Sequence, residues 1–185
     1  STTWLCLDGG CVFQSCLPGW ANCDSSIAKG NGCETNTQSD PAHCGDCKTE
    51  CAFPNADAGC SVGNCTITQC NGSFQNCDGA LSNGCEADTT KDAQNCGSCG
   101  ASCDGVFANA DATCANKACK LSGCKQGFGD CDANPQNGCE TATSGDPQHC
   151  GSCAKVCALD HASQKCEAGK CGVAGCDNGF ADCNL

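Results

Sequence analysis

Large apolar side chains are sparse along this chain, and no apolar run approaches the roughly 20 residues of a membrane helix. The one apolar residue set in strict order is cysteine. Its spacing, C-x4-C-x4-C-x6-C-x7-C-x10-C-x2-C-x3-C, runs from Cys60 to Cys103 and again, unchanged, from Cys114 to Cys157. A first copy, Cys6 to Cys51, has nine residues rather than seven between Cys23 and Cys33, and a fourth, Cys166 to Cys183, reaches its fourth cysteine. We label the positions a to h. Position a holds Cys6, Cys60, Cys114 and Cys166; b, Cys11, Cys65, Cys119 and Cys171; c, Cys16, Cys70, Cys124 and Cys176; d, Cys23, Cys77, Cys131 and Cys183. Position e holds Cys33, Cys85 and Cys139; f, Cys44, Cys96 and Cys150; g, Cys47, Cys99 and Cys153; h, Cys51, Cys103 and Cys157.

Each half of the pattern predicts a different element. From a to c, four-residue segments between cysteines with Gly or Asn at turn positions predict a small β-hairpin. Trp20, Phe74, Phe128 and Phe180, each three residues before position d, read as its apolar plug. From e to h, Asp40-Pro41 and Asp146-Pro147 are N-cap and first-turn signals, and Asp92 keeps the aspartate. Cys44, Cys47 and Cys51 then stand at i, i+3 and i+7, one face of a short helix, although Gly45, Gly97 and Gly151 weaken it.

These patterns give four tandem segments, residues 1–59, 60–113, 114–165 and the half-copy 166–185. The expected fold is small and disulfide-rich: tandem short β-hairpins with short helical turns, little regular secondary structure and an elongated, rod-like form. Aromatics make up 4% of the 185 residues. Units this small seldom hold together on burial alone. An even count of 28 cysteines lets every thiol pair, as in proteins of oxidising compartments. Ser1 opens the chain without a signal peptide, as expected of a mature secreted protein. With four a–d halves and three e–h halves, pairing inside each half satisfies every cysteine. Cys166, Cys171, Cys176 and Cys183 are therefore expected to form two bridges among themselves, in one of three arrangements.

Net charge is −12 and every basic residue is Lys, which disfavours nucleic acid and anionic membranes as partners. The C-x2-C-x3-C runs permit a thiolate metal site, such as Cys33 with Cys44, Cys47 and Cys51. The equally cysteine-rich a–d halves lack such spacing, so bridges are the expectation. Cys96-Gly97-Ser98-Cys99 and Cys150-Gly151-Ser152-Cys153 lack the βαβ context of a redox motif. His43 and His149 share one repeat position that Asn95 fills in the middle copy, which argues against a catalytic base. No Ser/His/Asp, Cys/His or phosphate-binding constellation occurs, so no enzyme is expected. One acidic recurrence carries ligand chemistry: Asp78, Asn83 and Glu86, repeated as Asp132, Asn137 and Glu140, surround Asn-Gly turns and offer oxygens suited to calcium. The alternative is that they cap exposed amides. No other cofactor is expected.

The combined pattern, C-x4-C-x4-C-x2-G-[FW]-x2-C-D, then N-G-C-E, then D-P-x-H-C-G-x-C-x3-C, resembles cysteine-rich repeats of secreted and surface proteins of myxobacteria and related bacteria. Gly127, Phe128, Asp132, Asn137, Gly138, Glu140 and the run Asp146 to Gly151 carry the likeness. The first half of each copy is also EGF-like. The resemblance implies an extracellular or cell-surface location and no known reaction. The expected role is an extracellular structural protein: a stalk, matrix component or filament subunit. The alternative is a secreted binding module, an adhesin, lectin-like domain or protease inhibitor. Expected partners are the protein itself, head to tail, or another extracellular protein or glycan. Trp4, Leu5 and Phe180 are the candidate self-association residues, Trp4 and Leu5 of one chain meeting the fourth copy of the next.

Overall fold

A computed structural model describes residues 2–8, 10–25 and 32–181, leaving aside the side chains of residues 6 and 7. It divides into two compact units, residues 1–88 and 89–185.

The predicted hairpins form in all four copies. In the first unit β1 (Thr2–Leu7) pairs with β2 (Gly10–Cys16) and β5 (Ala56–Ser61) with β6 (Asn64–Cys70). Two short pairs, β3 (Trp20–Ala21) with β4 (Thr35–Asn36) and β7 (Phe74–Gln75) with β8 (Ala87–Asp88), tie each aromatic position to the segment that follows cysteine e. In the second unit β9 (Ala110–Ala115) pairs with β10 (Ala118–Cys124) and β11 (Ala162–Glu167) with β12 (Lys170–Cys176). All four long hairpins are antiparallel and shift register by one residue at equivalent points, a bulge that re-aims the strand end carrying cysteine c.

The e–h half departs from the expected helix. Residues 41–48 form turns and bends, and the helical element among the described residues is one 3-10 turn, Leu81–Asn83. The aspartates do cap, but each caps an isolated turn: Asp40, Asp92 and Asp146 accept the amides of Ala42, Gln94 and Gln148 at 2.9, 2.8 and 2.8 Å. The glycines prevent continuation. Gly45, Gly97 and Gly151 adopt φ of 85, 87 and 83°, outside right-handed helix. A Cβ there would lie 2.8, 2.9 or 2.6 Å from the carbonyl oxygen of Gly63, Lys117 or Gly169, at the tip of the next hairpin. Close packing of two backbones thus takes precedence over the helical periodicity of the cysteines.

The bridges overturn the expectation of pairing inside each half. Within the first unit they join c to e (Cys16–Cys33, Cys70–Cys85) and d to g (Cys23–Cys47). They also join f to the next a (Cys44–Cys60) and h to the next b (Cys51–Cys65). The second unit repeats this with Cys124–Cys139, Cys131–Cys153, Cys96–Cys114, Cys103–Cys119, Cys150–Cys166 and Cys157–Cys171. Cys77 and Cys99 are bridged as well. Cysteines a and b are directly opposed across the hairpin, as Cys60 with Cys65, so their sulfurs leave the same face. That face lies on the preceding e–h segment, whose f and h sulfurs take one each. Consequently Cys166 and Cys171 are bound to Cys150 and Cys157, and Cys176, expected in a bridge, is a free, exposed thiol. The side chain of Cys6 and all of Cys183 lie outside the described residues, so their expected bridges do too.

Sulfur forms the core. Cys85, Cys139 and Cys150 are fully buried, with Cys103 close behind, whereas of the expected aromatic plugs Trp20 and Phe180 are 37% and 52% exposed and Phe74 and Phe128 are half-buried. Threonines the sequence pattern did not single out, Thr37, Thr89 and Thr143, are buried beside the cystines. Their carbonyls accept the amides of Gly45, Gly97 and Gly151 at 2.7–2.8 Å. Their only sequence signal is recurrence four residues after cysteine e.

Candidate functional site

Two arrangements hold recurring polar groups in one place. The first is the turn between cysteines d and e. Glu34, Glu86 and Glu140 each turn a carboxylate back onto the amide of cysteine d, accepting from Cys23, Cys77 and Cys131 at 2.6, 2.9 and 2.9 Å. Asp78 accepts the Ala80 amide and the Asn83 side-chain amide at 2.8 and 2.9 Å. Asp132 accepts the Asn134 amide and the Asn137 side-chain amide, both at 2.9 Å. The sequence-derived sets therefore come together: Asp78 with Asn83, Asp132 with Asn137, and Glu86 and Glu140 on the adjoining cysteine.

These carboxylates are engaged as acceptors. Asp78 and Asp132 are held below the ordinary aspartate value, chiefly by the amides of Ala80 and Asn134 and then by their asparagine partners. Glu140 is lowered by its own backbone amide and then by that of Cys131. In the third copy the fold adds Asp130, which the sequence reading did not select. One oxygen each from Asp130, Asp132 and Glu140 lies within 4.8 Å of the others. Partial desolvation, followed by the hydrogen bond with Asp132, raises Asp130. This trio has the oxygen chemistry of a hard cation site, but Asp132 and Glu140 already satisfy turn amides and Asn137 directs its NH2 group, not its carbonyl, at Asp132. Sulfurs of Cys44, Cys51 and Cys65 also lie within 4.8 Å of one another, yet all are in cystines and offer no thiolate.

The second arrangement is a slot beside each hairpin that receives cysteine e. In the first unit the Cys85 amide donates to the Pro54 carbonyl at 2.9 Å, the Asn55 side-chain amide donates to the Cys85 carbonyl at 3.1 Å, and Cys70 closes the bridge. In the second unit Cys139 donates to Ala108 at 2.8 Å, Asn109 donates to the Cys139 carbonyl at 3.1 Å, and Cys124 closes the bridge. Gly84 and Gly138, at φ of 73 and 84°, lie so close that an added Cβ would overlap the Pro54 or Ala108 carbonyl. The glycine of Asn-Gly-Cys-Glu is thus there for close approach as well as for turning.

The histidines follow the same economy. His43 and His149 donate Nδ1–H to Asp40 and Asp146 at 3.0 and 2.8 Å, and Asn95 donates its Nδ2–H to Asp92 at 2.8 Å. Asparagine replaces histidine because both supply one donor at one reach. Of the self-association candidates, Trp4 and Leu5 lie on β1, 45% and 46% exposed, with Trp4 edge-on to Phe13 at 6.1 Å. Phe180 stacks on His161 with ring centroids 3.8 Å apart.

The fold and its bridges define a disulfide-stabilised tandem-hairpin protein suited to an oxidising environment. Compared with known protein families, with curated proteins and with solved structures, the chain matches none. Among the described residues no helix is long and apolar enough to cross a membrane.

Proposed function

We propose that this chain is a non-catalytic structural element of an extracellular layer, a stalk, matrix component or filament subunit. One observation carries the reading. Each hairpin from β5 to β10 is bolted by cystines at both ends, through a and b to the preceding e–h segment and through c to its own e segment. Such cross-links resist proteolysis and force without a large apolar core. Localising the protein in its cells tests the compartment, and electron microscopy of concentrated oxidised protein tests assembly. Fibres or sheets are the expected result. Monomers throughout the concentration range, with the protein recovered from the cytosol, would count against the role.

A second reading, a secreted binding module, has one observation in its favour. An open hollow of about 560 Å³ is lined by Gln126, Gly127, Thr143, Ser144, Gly169 and Lys170, a small and polar set suited to a glycan. Saturable glycan binding lost in Lys170→Ala would favour this reading over the first.

A further inference from the structure

The two cystines that fasten a hairpin to the segment before it lie side by side, and their sulfurs form one cluster. In the first unit the sulfurs of Cys44, Cys51 and Cys65 lie within 4.8 Å of one another, and Cys60 is bonded to Cys44. The second unit repeats this with Cys96, Cys103 and Cys119 beside Cys114, and with Cys150, Cys157 and Cys171 beside Cys166. Among the described residues the sulfurs at c, d, e and g enter no such group. The quartets read C-x6-C-x8-C-x4-C, with ten residues in place of eight between Cys103 and Cys114. Spacing alone suggests a different set, Cys33 with Cys44, Cys47 and Cys51, but Cys33 and Cys47 are bridged to Cys16 and Cys23.

Backbone structure as well as bridging brings each quartet together. Cysteines a and b are opposed across their hairpin, Cys60 with Cys65, Cys114 with Cys119 and Cys166 with Cys171. Positions f and h sit on a looped segment closed by backbone hydrogen bonds. Cys44 donates to the Thr49 carbonyl at 2.8 Å and Cys51 to that of Pro41 at 2.7 Å. Cys96 and Cys103 donate to Ala101 and Ala93, both at 2.7 Å, and Cys150 and Cys157 to Lys155 and Pro147 at 2.7 and 2.8 Å. All six f and h cysteines are buried. Tetrahedral zinc takes four thiolates at about 2.3 Å, which places their sulfurs about 3.8 Å apart. Parting each bonded pair to that distance moves each sulfur by about 1 Å and turns two adjacent cystines into such a set.

We propose that in the reduced chain the f, h, a and b cysteines form three zinc sites, one beneath each of the β5–β6, β9–β10 and β11–β12 hairpins. Zinc there holds the hairpin on its e–h segment before the bridges form. The chemistry balances with a dithiol as reductant. Each dithiol gives two electrons and two protons to one cystine and leaves as a cyclic disulfide, so two dithiols free the four thiols of one quartet. Zinc binds the four as thiolates, and four protons pass to solvent. The inference concerns the reduced chain and holds whichever extracellular role is correct.

The test uses the full chain, reduced with a dithiol and freed of reductant and metal without oxygen, then given zinc in the presence of a chromogenic zinc chelator. Three zinc ions per chain should be retained against the chelator, one for each quartet. Indiscriminate binding by 28 thiols, four to an ion, would instead take up seven. Brief alkylation followed by peptide mapping should find the f, h, a and b cysteines of the quartets protected and those at c, d, e and g modified. Cys103→Ser with Cys119→Ser should remove one ion of the three and expose Cys96 and Cys114 to alkylation. Cys131→Ser with Cys153→Ser, at positions d and g, should remove none. No retained zinc, protection spread over all eight positions, three ions kept by the Cys103 and Cys119 variant, or an ion lost from the d–g variant would each overturn the proposal.

Discussion

The repeat keeps functional groups rather than residue identities, and the fourth residue of each capping turn makes the point. His43, Asn95 and His149 differ chemically but donate one hydrogen bond to the same aspartate position. Asp146 is held below the ordinary aspartate value chiefly by His149 and then by the Gln148 amide. A carboxyl depressed in the folded state contributes stability that is complete above its unfolded value, about 4. That contribution disappears as pH falls through the lower folded value. Carbon NMR titration should therefore find Asp146 shifted up slightly in His149→Asn, which keeps the donor and loses the charge, and further up, toward about 4, in His149→Ala. No upward shift in the alanine variant would show that the histidine contributes nothing. Gly151 gives a second test, since it combines φ of 83° with a virtual Cβ 2.6 Å from the Gly169 oxygen. Gly151→Ala should cost about 1–3 kcal/mol. Exchange of the Gly169 amide, bonded to Ser144 at 3.1 Å, should quicken by roughly five- to a hundredfold.

At the scale of elements, the hairpin is local and its attachment is not. Hairpins were legible because a two-strand ladder needs only short segments with turn residues between them, as in Cys60-Ser-Val-Gly-Asn-Cys65. The e–h segment departs from its helical spacing because i, i+3, i+7 describes a helix only where three sulfurs share one target. Here Cys44, Cys47 and Cys51 go to Cys60, Cys23 and Cys65, three separate places. Partial reduction and peptide mapping should recover Cys150–Cys166 and Cys157–Cys171; a Cys166–Cys171 peptide would contradict the structure. Replacing Cys157 and Cys171 together by alanine opens a bridge of sequence separation 14 and should lower stability by about 2–4 kcal/mol in denaturant titration. Strand register should survive, because Cys150–Cys166 still anchors the same hairpin face.

For the whole molecule, the balance of forces lies with covalent bonds. Among the described residues, the buried apolar ones apart from Ala87 and Ala110 are cysteines, while Val62, Val106 and Val156 are all more than half exposed. A chain with so little apolar burial cannot offset its conformational entropy without the bridges. Full reduction at neutral pH should therefore abolish amide dispersion in the proton NMR spectrum at ordinary temperature. A dispersed spectrum with every thiol reduced would mean that some other interaction holds the hairpins.

The sequence by itself determined the repeat, the oxidising chemistry, the four hairpins and the polar turn between cysteines d and e. All of these depend on residues near one another in the chain. It also singled out Asp132, Asn137 and Glu140, which share the turn, and Asp130 lies beside Asp132 and Glu140 only because the turn folds back. The tertiary structure alone decided which sulfur meets which. The described bridges span 14 to 24 residues, a range in which several partners are sterically possible. The choice follows from packing: a hairpin tip presses on a glycine of the preceding segment, and two adjacent sulfurs on one hairpin face must find two separate partners beneath it.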